Sequence, residues 1–136
     1  MSGDGDHEDP RTGRRPALLV VEDEPNARAA LVALLLDEGY AVTAAVDGED
    51  ALRCLDVVHP DLVLTDVMMP RLGGIGLLDR VAARAPRVPV IVMTAWPERL
   101  RGDAQAKVAA ILPKPIDFDR LLAAIRDALA RHPARG

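Results

Sequence analysis

Five short apolar runs punctuate the chain: Ala17–Val21, Tyr40–Val46, Leu62–Thr65, Val90–Met93 and Ala109–Leu112. Each is rich in Val, Leu, Ile or Ala and is bounded by polar or turn-forming residues, the pattern of strands buried on both faces. Between them, apolar residues recur at helical spacing. Pro25–Glu38 gathers Ala29, Leu31, Leu34 and Leu35 in one sector, and Gly39 follows as a helix stop. Asp47-Gly48 opens a helix over Glu49–Val57 with Ala51, Leu52 and Leu55 inward. Ile75–Arg84 turns Leu77, Leu78 and Val81 to the core, and Asp117–Arg131 carries a stripe of Leu121, Leu122, Ile125 and Leu129. The stretch from Pro97 to Val108 holds Gly102 and few large apolar residues, which predicts a short or frayed helix. Strands alternating with helices predict an α/β fold with a mainly parallel sheet, because crossover helices join parallel strands.

The chain has 136 residues, the length of one domain, enough to bury roughly 68–70% of its unfolded surface in a single core. Residues 1–15 carry acids (Asp4, Asp6, Glu8, Asp9) followed by arginines (Arg11, Arg14, Arg15) and are expected to form a disordered tail before a domain over 16–131. Residues 132–136 are expected to be a second, C-terminal tail. No apolar run approaches the roughly 20 residues of a membrane helix, and no secretory signal opens the chain, so a cytoplasmic protein is expected. The single cysteine, Cys54, excludes a disulfide framework and a zinc site built on cysteine pairs. A net charge of −4 and only 2% aromatics (Tyr40, Trp96, Phe118) argue against direct nucleic-acid binding.

The chemistry lies where the apolar runs end. Glu22 and Asp23 follow the first, Asp66 the third, Thr94 the fourth, and Lys114 closes Ala110-Ile111-Leu112-Pro113. In a parallel sheet these ends share the carboxyl rim, where open α/β folds bind ligands. Asp61 opens the third run, five residues before Asp66, and is predicted roughly 16 Å away on the opposite rim at about 3.3 Å per residue. It is read as a turn residue and nothing more. Three crowded carboxylates repel one another, and a divalent cation with hard oxygen ligands, magnesium, removes the conflict. Of 17 basic residues 15 are Arg, and one of the two lysines, Lys114, stands at a strand end. Any one of these residues alone reads equally well as a helix cap or surface charge. Four strand ends closing in this way do not, and together they form a phosphoryl-transfer constellation with a carboxylate as nucleophile and cation and lysine neutralising charge.

Leu19-Val20-Val21-Glu22-Asp23-Glu24-Pro25, Leu64-Thr65-Asp66-Val67-Met68-Met69-Pro70 with Gly73-Gly74, Met93-Thr94-Ala95 and Pro113-Lys114-Pro115 resemble the receiver domain of two-component response regulators. The resemblance spans about Pro16 to Arg131. It implies a doubly wound, flavodoxin-like, five-stranded parallel sheet in the order 2-1-3-4-5 with about five helices. It implies that Asp66 accepts a phosphoryl group from a histidine kinase or phosphotransfer protein. It further implies that Asp23 and the Met68 backbone carbonyl ligate Mg2+ beside Asp66, with Glu22 helping directly or through water, and that Thr94 and Lys114 bind the phosphoryl oxygens. The Lys114–Pro115 bond resembles the family's cis peptide. Two departures stand out. Receivers usually carry Tyr or Phe three residues before the lysine, where this chain has Ile111, and the span from Thr94 to Lys114 is slightly short.

Met68 and Trp96, two residues beyond Asp66 and Thr94, should flank the path of an attacking water without orienting it, which predicts slow self-dephosphorylation. Gly73-Gly74-Ile75-Gly76 reads as a turn rather than a dinucleotide fingerprint. His7, His59 and His132 lack metal-ligand spacing, Cys54 reads as packed on a helix, and Asn26, Arg28 and Ala30 are exposed positions that could face a kinase. The reading is a stand-alone receiver acting through an unidentified protein target or a phosphorelay, with no turnover of a separate substrate. A phosphorylation-dependent homodimer is left open. Two rivals are a non-switching binding module of the same fold and a haloacid-type phosphatase. The phosphatase would want a second carboxylate where Met68 stands.

Overall fold

The computed structural model describes residues 14–66, 73–100 and 103–132. Five strands, β1 (Ala17–Val21), β2 (Ala41–Ala45), β3 (Leu62–Asp66), β4 (Val90–Thr94) and β5 (Ala110–Pro113), alternate with helices α1 (Pro25–Asp37), α2 (Gly48–Val58), α3 (Gly73–Arg84), α4 (Asp103–Ala106) and α5 (Phe118–Arg131). The strands form one sheet in the order β2-β1-β3-β4-β5 with every pairing parallel. This is the expected doubly wound topology.

Strand alternation divides the core into two layers. Leu18 and Val20 of β1, with Leu62, Leu64, Ile91 and Met93, pack under α1 and α5 through Leu31, Leu35, Leu121 and Ile125. Leu19 and Val21, with Val63 and Val92, face the opposite way and meet α2 and α3 through Ala51, Leu52, Leu55, Leu77, Leu78 and Val81. A central parallel sheet covered on both faces needs near-continuous apolar strands, and β3 and β4 are buried at every position.

The helix ends follow local chemistry. Glu24 caps α1, its carboxylate accepting from Asn26 N and Ala27 N at 3.1 and 2.8 Å. At the other end Gly39 takes φ 95°, a conformation open to glycine, so that Gly39 N and Tyr40 N bond back to Leu36 O and Leu35 O. Asp47 caps α2 through Asp50 N, and Asp117 caps α5 through Asp119 N and Arg120 N. The expected weak helix resolves into a 3-10 turn at Pro97–Arg99 and the single turn of α4.

Several sequence expectations need correction. Ala29, placed inward by periodicity, is exposed, because α1 is apolar nearly all round and its contact line runs through Leu31 and Leu35. The Gly73-Gly74 stretch, read as a turn, forms the start of α3. Asp61 does sit at the opening end of β3, yet it is more than a turn residue: its carboxylate accepts from both guanidinium nitrogens of Arg14 at 2.8 and 2.9 Å and from Ala17 N at 2.7 Å. Arg14, assigned to the N-terminal tail, is thereby tied to the base of the sheet. The rest of that tail, residues 1–13, lies outside the described residues. His132, assigned to the C-terminal tail, caps α5 with its backbone N–H on Ala128 O at 3.0 Å, and 133–136 lie outside the described residues.

Candidate functional site

The carboxyl rim is assembled from the ends of β1, β3, β4 and β5. Glu22 directly follows β1, and its N–H donates to Ala45 O of β2 at 3.1 Å, which continues the sheet pairing by one residue. That register turns the Glu22 side chain inward, and it is 2% exposed. Its Oε2 accepts from Glu24 N at 3.1 Å. Asp66 ends β3 and is 4% exposed. Asp23 lies on the surface between them. Carboxylate oxygens of Glu22, Asp23 and Asp66 all lie within 4.8 Å of one another.

Lys114 reaches this cluster from the end of β5. Lys114 N donates to Thr94 O at 2.8 Å, locking the ends of β4 and β5 together, and the Lys114–Pro115 peptide is cis, as the resemblance implied. Its Nζ donates to Asp66 Oδ2 and stands 3.6 Å from Glu22 Oε1. Thr94, buried at the end of β4, accepts the Trp96 N–H on its Oγ1 at 3.0 Å. Glu22, Asp23, Asp66 and Lys114 are therefore one cluster, with Thr94 on the adjoining strand end. Met68, implied as a carbonyl ligand, lies outside the described residues.

The charges perturb one another. Burial pushes the Glu22 carboxyl above its ordinary value, and Asp66 and Asp23 push the same way, against the Glu24 N–H and Lys114. For Lys114, burial alone would depress the ammonium, but the Asp66 hydrogen bond and the Asp66 and Glu22 charges outweigh it and hold the group above its ordinary 10.5. Two buried carboxylates, one exposed carboxylate and a single ammonium leave an excess of negative charge. Oxygen-only donors of that kind suit a small, hard divalent cation, so the donor set fits magnesium.

One participant was not legible in the sequence. Arg28, read as a surface residue of α1, is half-buried and folds back so that its Nη1 donates to Glu22 O at 2.9 Å and Asp23 O at 3.4 Å. Asn26 and Ala30 are exposed, as expected. Ile111 is half-buried against the core layer under α2 and α3. Cys54 is half-buried beside the same layer, and burial pushes its thiol up, as befits a packed cysteine. His59 caps α2 in a left-handed conformation and takes no part in the cluster. Among the described residues no helix is long and apolar enough to cross a membrane.

A model of the response regulator receiver domain matches residues 18–126. The chain is 39% identical over 116 residues to the transcriptional regulatory protein DltR of Streptococcus agalactiae, covering 80% of this chain and 50% of that protein. It spans half or less of the length of the curated relatives it matches. Among solved structures it is similar to the signal receiver domain of an HD domain-containing protein from Pseudomonas fluorescens Pf-5, with TM-score 0.79, 30% identity, and 88% and 98% of the two chains covered. It is also similar to the response regulator TrrA of Thermotoga maritima in complex with Mg(2+)-BeF, with TM-score 0.78, 29% identity, and 84% and 99% covered.

Proposed function

This chain belongs to the response regulator receiver family, and on that footing we propose that Asp66 accepts a phosphoryl group from a phosphohistidine on a kinase or phosphotransfer protein, in a magnesium-dependent reaction. The observation that carries this reading is the convergence of the Glu22, Asp23 and Asp66 carboxylates within 4.8 Å, with Lys114 Nζ hydrogen-bonded to Asp66.

A carboxylate oxygen of Asp66 attacks the phosphorus. The new O–P bond forms as the donor's P–N bond breaks, and the electron pair leaves with the imidazole nitrogen, which takes up a proton. Glu22, Asp23 and Asp66 would hold the magnesium ion, with the Met68 carbonyl implied as a further ligand. Bound there, the ion supplies positive charge against the phosphoryl oxygens. Lys114, already on Asp66 and kept protonated by its two carboxylate neighbours, pairs with an oxygen of the transferred group. Thr94 Oγ1 is oriented by the Trp96 N–H it accepts, and its own proton is then donated to another phosphoryl oxygen. Burial of Asp66 and Glu22 strengthens each of these interactions by keeping bulk water from the charges. The signal then passes through phosphorylation-dependent contacts with a partner protein or onward transfer of the group.

Incubation with acetyl phosphate and magnesium should add one phosphoryl mass to the chain, and Asp66→Asn should abolish the addition. A non-switching binding module gives no added mass in the wild type. Turnover of phosphate esters with product release would instead revive the phosphatase reading.

A further inference from the structure

We propose that Arg28 is a positioning residue for the cation site: it clamps the loop between β1 and α1 in the one arrangement that presents Asp23 beside Glu22 and Asp66. The inference rests on the magnesium reading above.

The loop is three residues long, Glu22 to Glu24, and each is tied differently. Glu22 is held by its own backbone on Ala45 O. Glu24 is held by its carboxylate on the first turn of α1. Asp23, between them, is exposed, and its carboxylate adjoins that of Glu22. The carbonyls of Glu22 and Asp23 precede the helix and so have no place in its hydrogen-bond ladder. Arg28, one turn into α1, supplies the missing donor, with Nη1 at 2.9 Å from Glu22 O and 3.4 Å from Asp23 O.

Holding a carbonyl holds its peptide plane. An uncompensated rotation about ψ of Glu22 turns that plane and carries Asp23 with it, swinging its Cβ away from the cluster. A guanidinium suits this task because its donors are rigid and its charge is permanent, and because a half-buried stem loses little further freedom. A ligand held in its binding conformation before the ion arrives removes part of the ordering cost of binding.

The alternative is that Arg28 acts only as a charge. A positive group beside two ligand residues repels a cation, so the two ideas have opposite signs. If Arg28 is a clamp, Arg28→Met weakens magnesium binding by about tenfold, the low end for loss of a group that orients metal ligands. Arg28→Lys, which keeps the charge but loses the planar fork, weakens it as well. If only charge matters, Arg28→Met binds magnesium more tightly and Arg28→Lys is unchanged.

Magnesium affinity measured by calorimetry on the wild type and both variants, alongside melting curves in EDTA, separates these outcomes. Weaker binding in both folded variants supports the clamp. Unchanged or tighter binding in either overturns it, as does a lower melting temperature in EDTA with magnesium affinity intact. Should Arg28→Met fail to fold, Arg28→Lys alone retains the test. A wild type that binds no magnesium defeats the underlying cation-site reading instead, a result distinct from variants that match a magnesium-binding wild type.

Discussion

Lys114 is the only cation within reach of two buried carboxylates among the described contacts of the site, so removing it should be felt first in stability. Its Nζ donates to Asp66 and lies 3.6 Å from Glu22 Oε1. Breaking a fully buried ion pair costs about 3–5 kcal/mol, whereas an exposed one is worth about 0–1 kcal/mol. The Lys114 side chain is 31% exposed while its partners are 6% and 2% exposed. The cost of Lys114→Met therefore falls between those limits, at about 1–2 kcal/mol after discounting for solvent screening. For a chain of this length that is a fall in melting temperature of about 3–8 °C. The assay is thermal unfolding followed by circular dichroism at neutral pH, in EDTA and again in excess magnesium. Magnesium should restore more stability to the variant than to the wild type, because the ion takes over the neutralisation. Since the folded pKa of Lys114 is raised above 10.5, the lysine's contribution is fully present below that value and is lost as pH rises through the folded one. A variant that melts at or above the wild type in EDTA would refute the idea that Lys114 balances the two buried acids.

Other outcomes follow from the same geometry. Burial raises the Glu22 pKa above 4.5, so the metal-free fold loses the protonated group's contribution as pH rises from 4.5 through the folded value; magnesium should therefore raise the melting temperature more near neutrality than near pH 4.5, and equal shifts would contradict this. Asp61→Ala removes the acceptor of Arg14 and Ala17 N at the opposite rim, which should cost about 1–3 kcal/mol in denaturant unfolding while phosphorylation of Asp66 proceeds normally. A wild-type melting midpoint in that variant would show the triad to be idle. Met68→Asn and Trp96→Ala should each shorten the lifetime of the acyl phosphate, followed by loss of the added mass after the donor is removed, and an unchanged lifetime in both would end the water-path argument.

The site was legible because its residues interrupt a strong pattern. An apolar run buried on both faces has one informative position, the residue at which it stops, and Glu22, Asp66, Thr94 and Lys114 all stand at or just beyond such a stop. Parallel topology then sends those stops to one rim, so a one-dimensional pattern predicts a three-dimensional cluster. The two layers were not legible in the same way: Leu18, Leu19, Val20 and Val21 are all apolar, and only the coordinates show that Leu18 and Val20 face one layer while Leu19 and Val21 face the other. What periodicity does not carry is pairing between polar side chains distant in sequence. Asp61 and Arg14 are 47 residues apart, and nothing in either segment announces the other. Arg28 was hidden differently: on a helix as uniformly apolar as α1, one arginine reads as the solvent face, and only the coordinates show it folded back onto the loop. Gly73-Gly74 misled because glycine marks turns more often than helix starts.

Which atom takes the phosphorus decides whether Asp66 is the acceptor. Treating the acetyl phosphate-labelled, magnesium-loaded protein with borohydride reduces an aspartyl phosphate to homoserine, and peptide sequencing by mass spectrometry then reads the position. Homoserine at position 66 is the expected result. Phosphate on a histidine, on a serine or on another carboxylate, with Asp66 unmodified, would contradict the central claim.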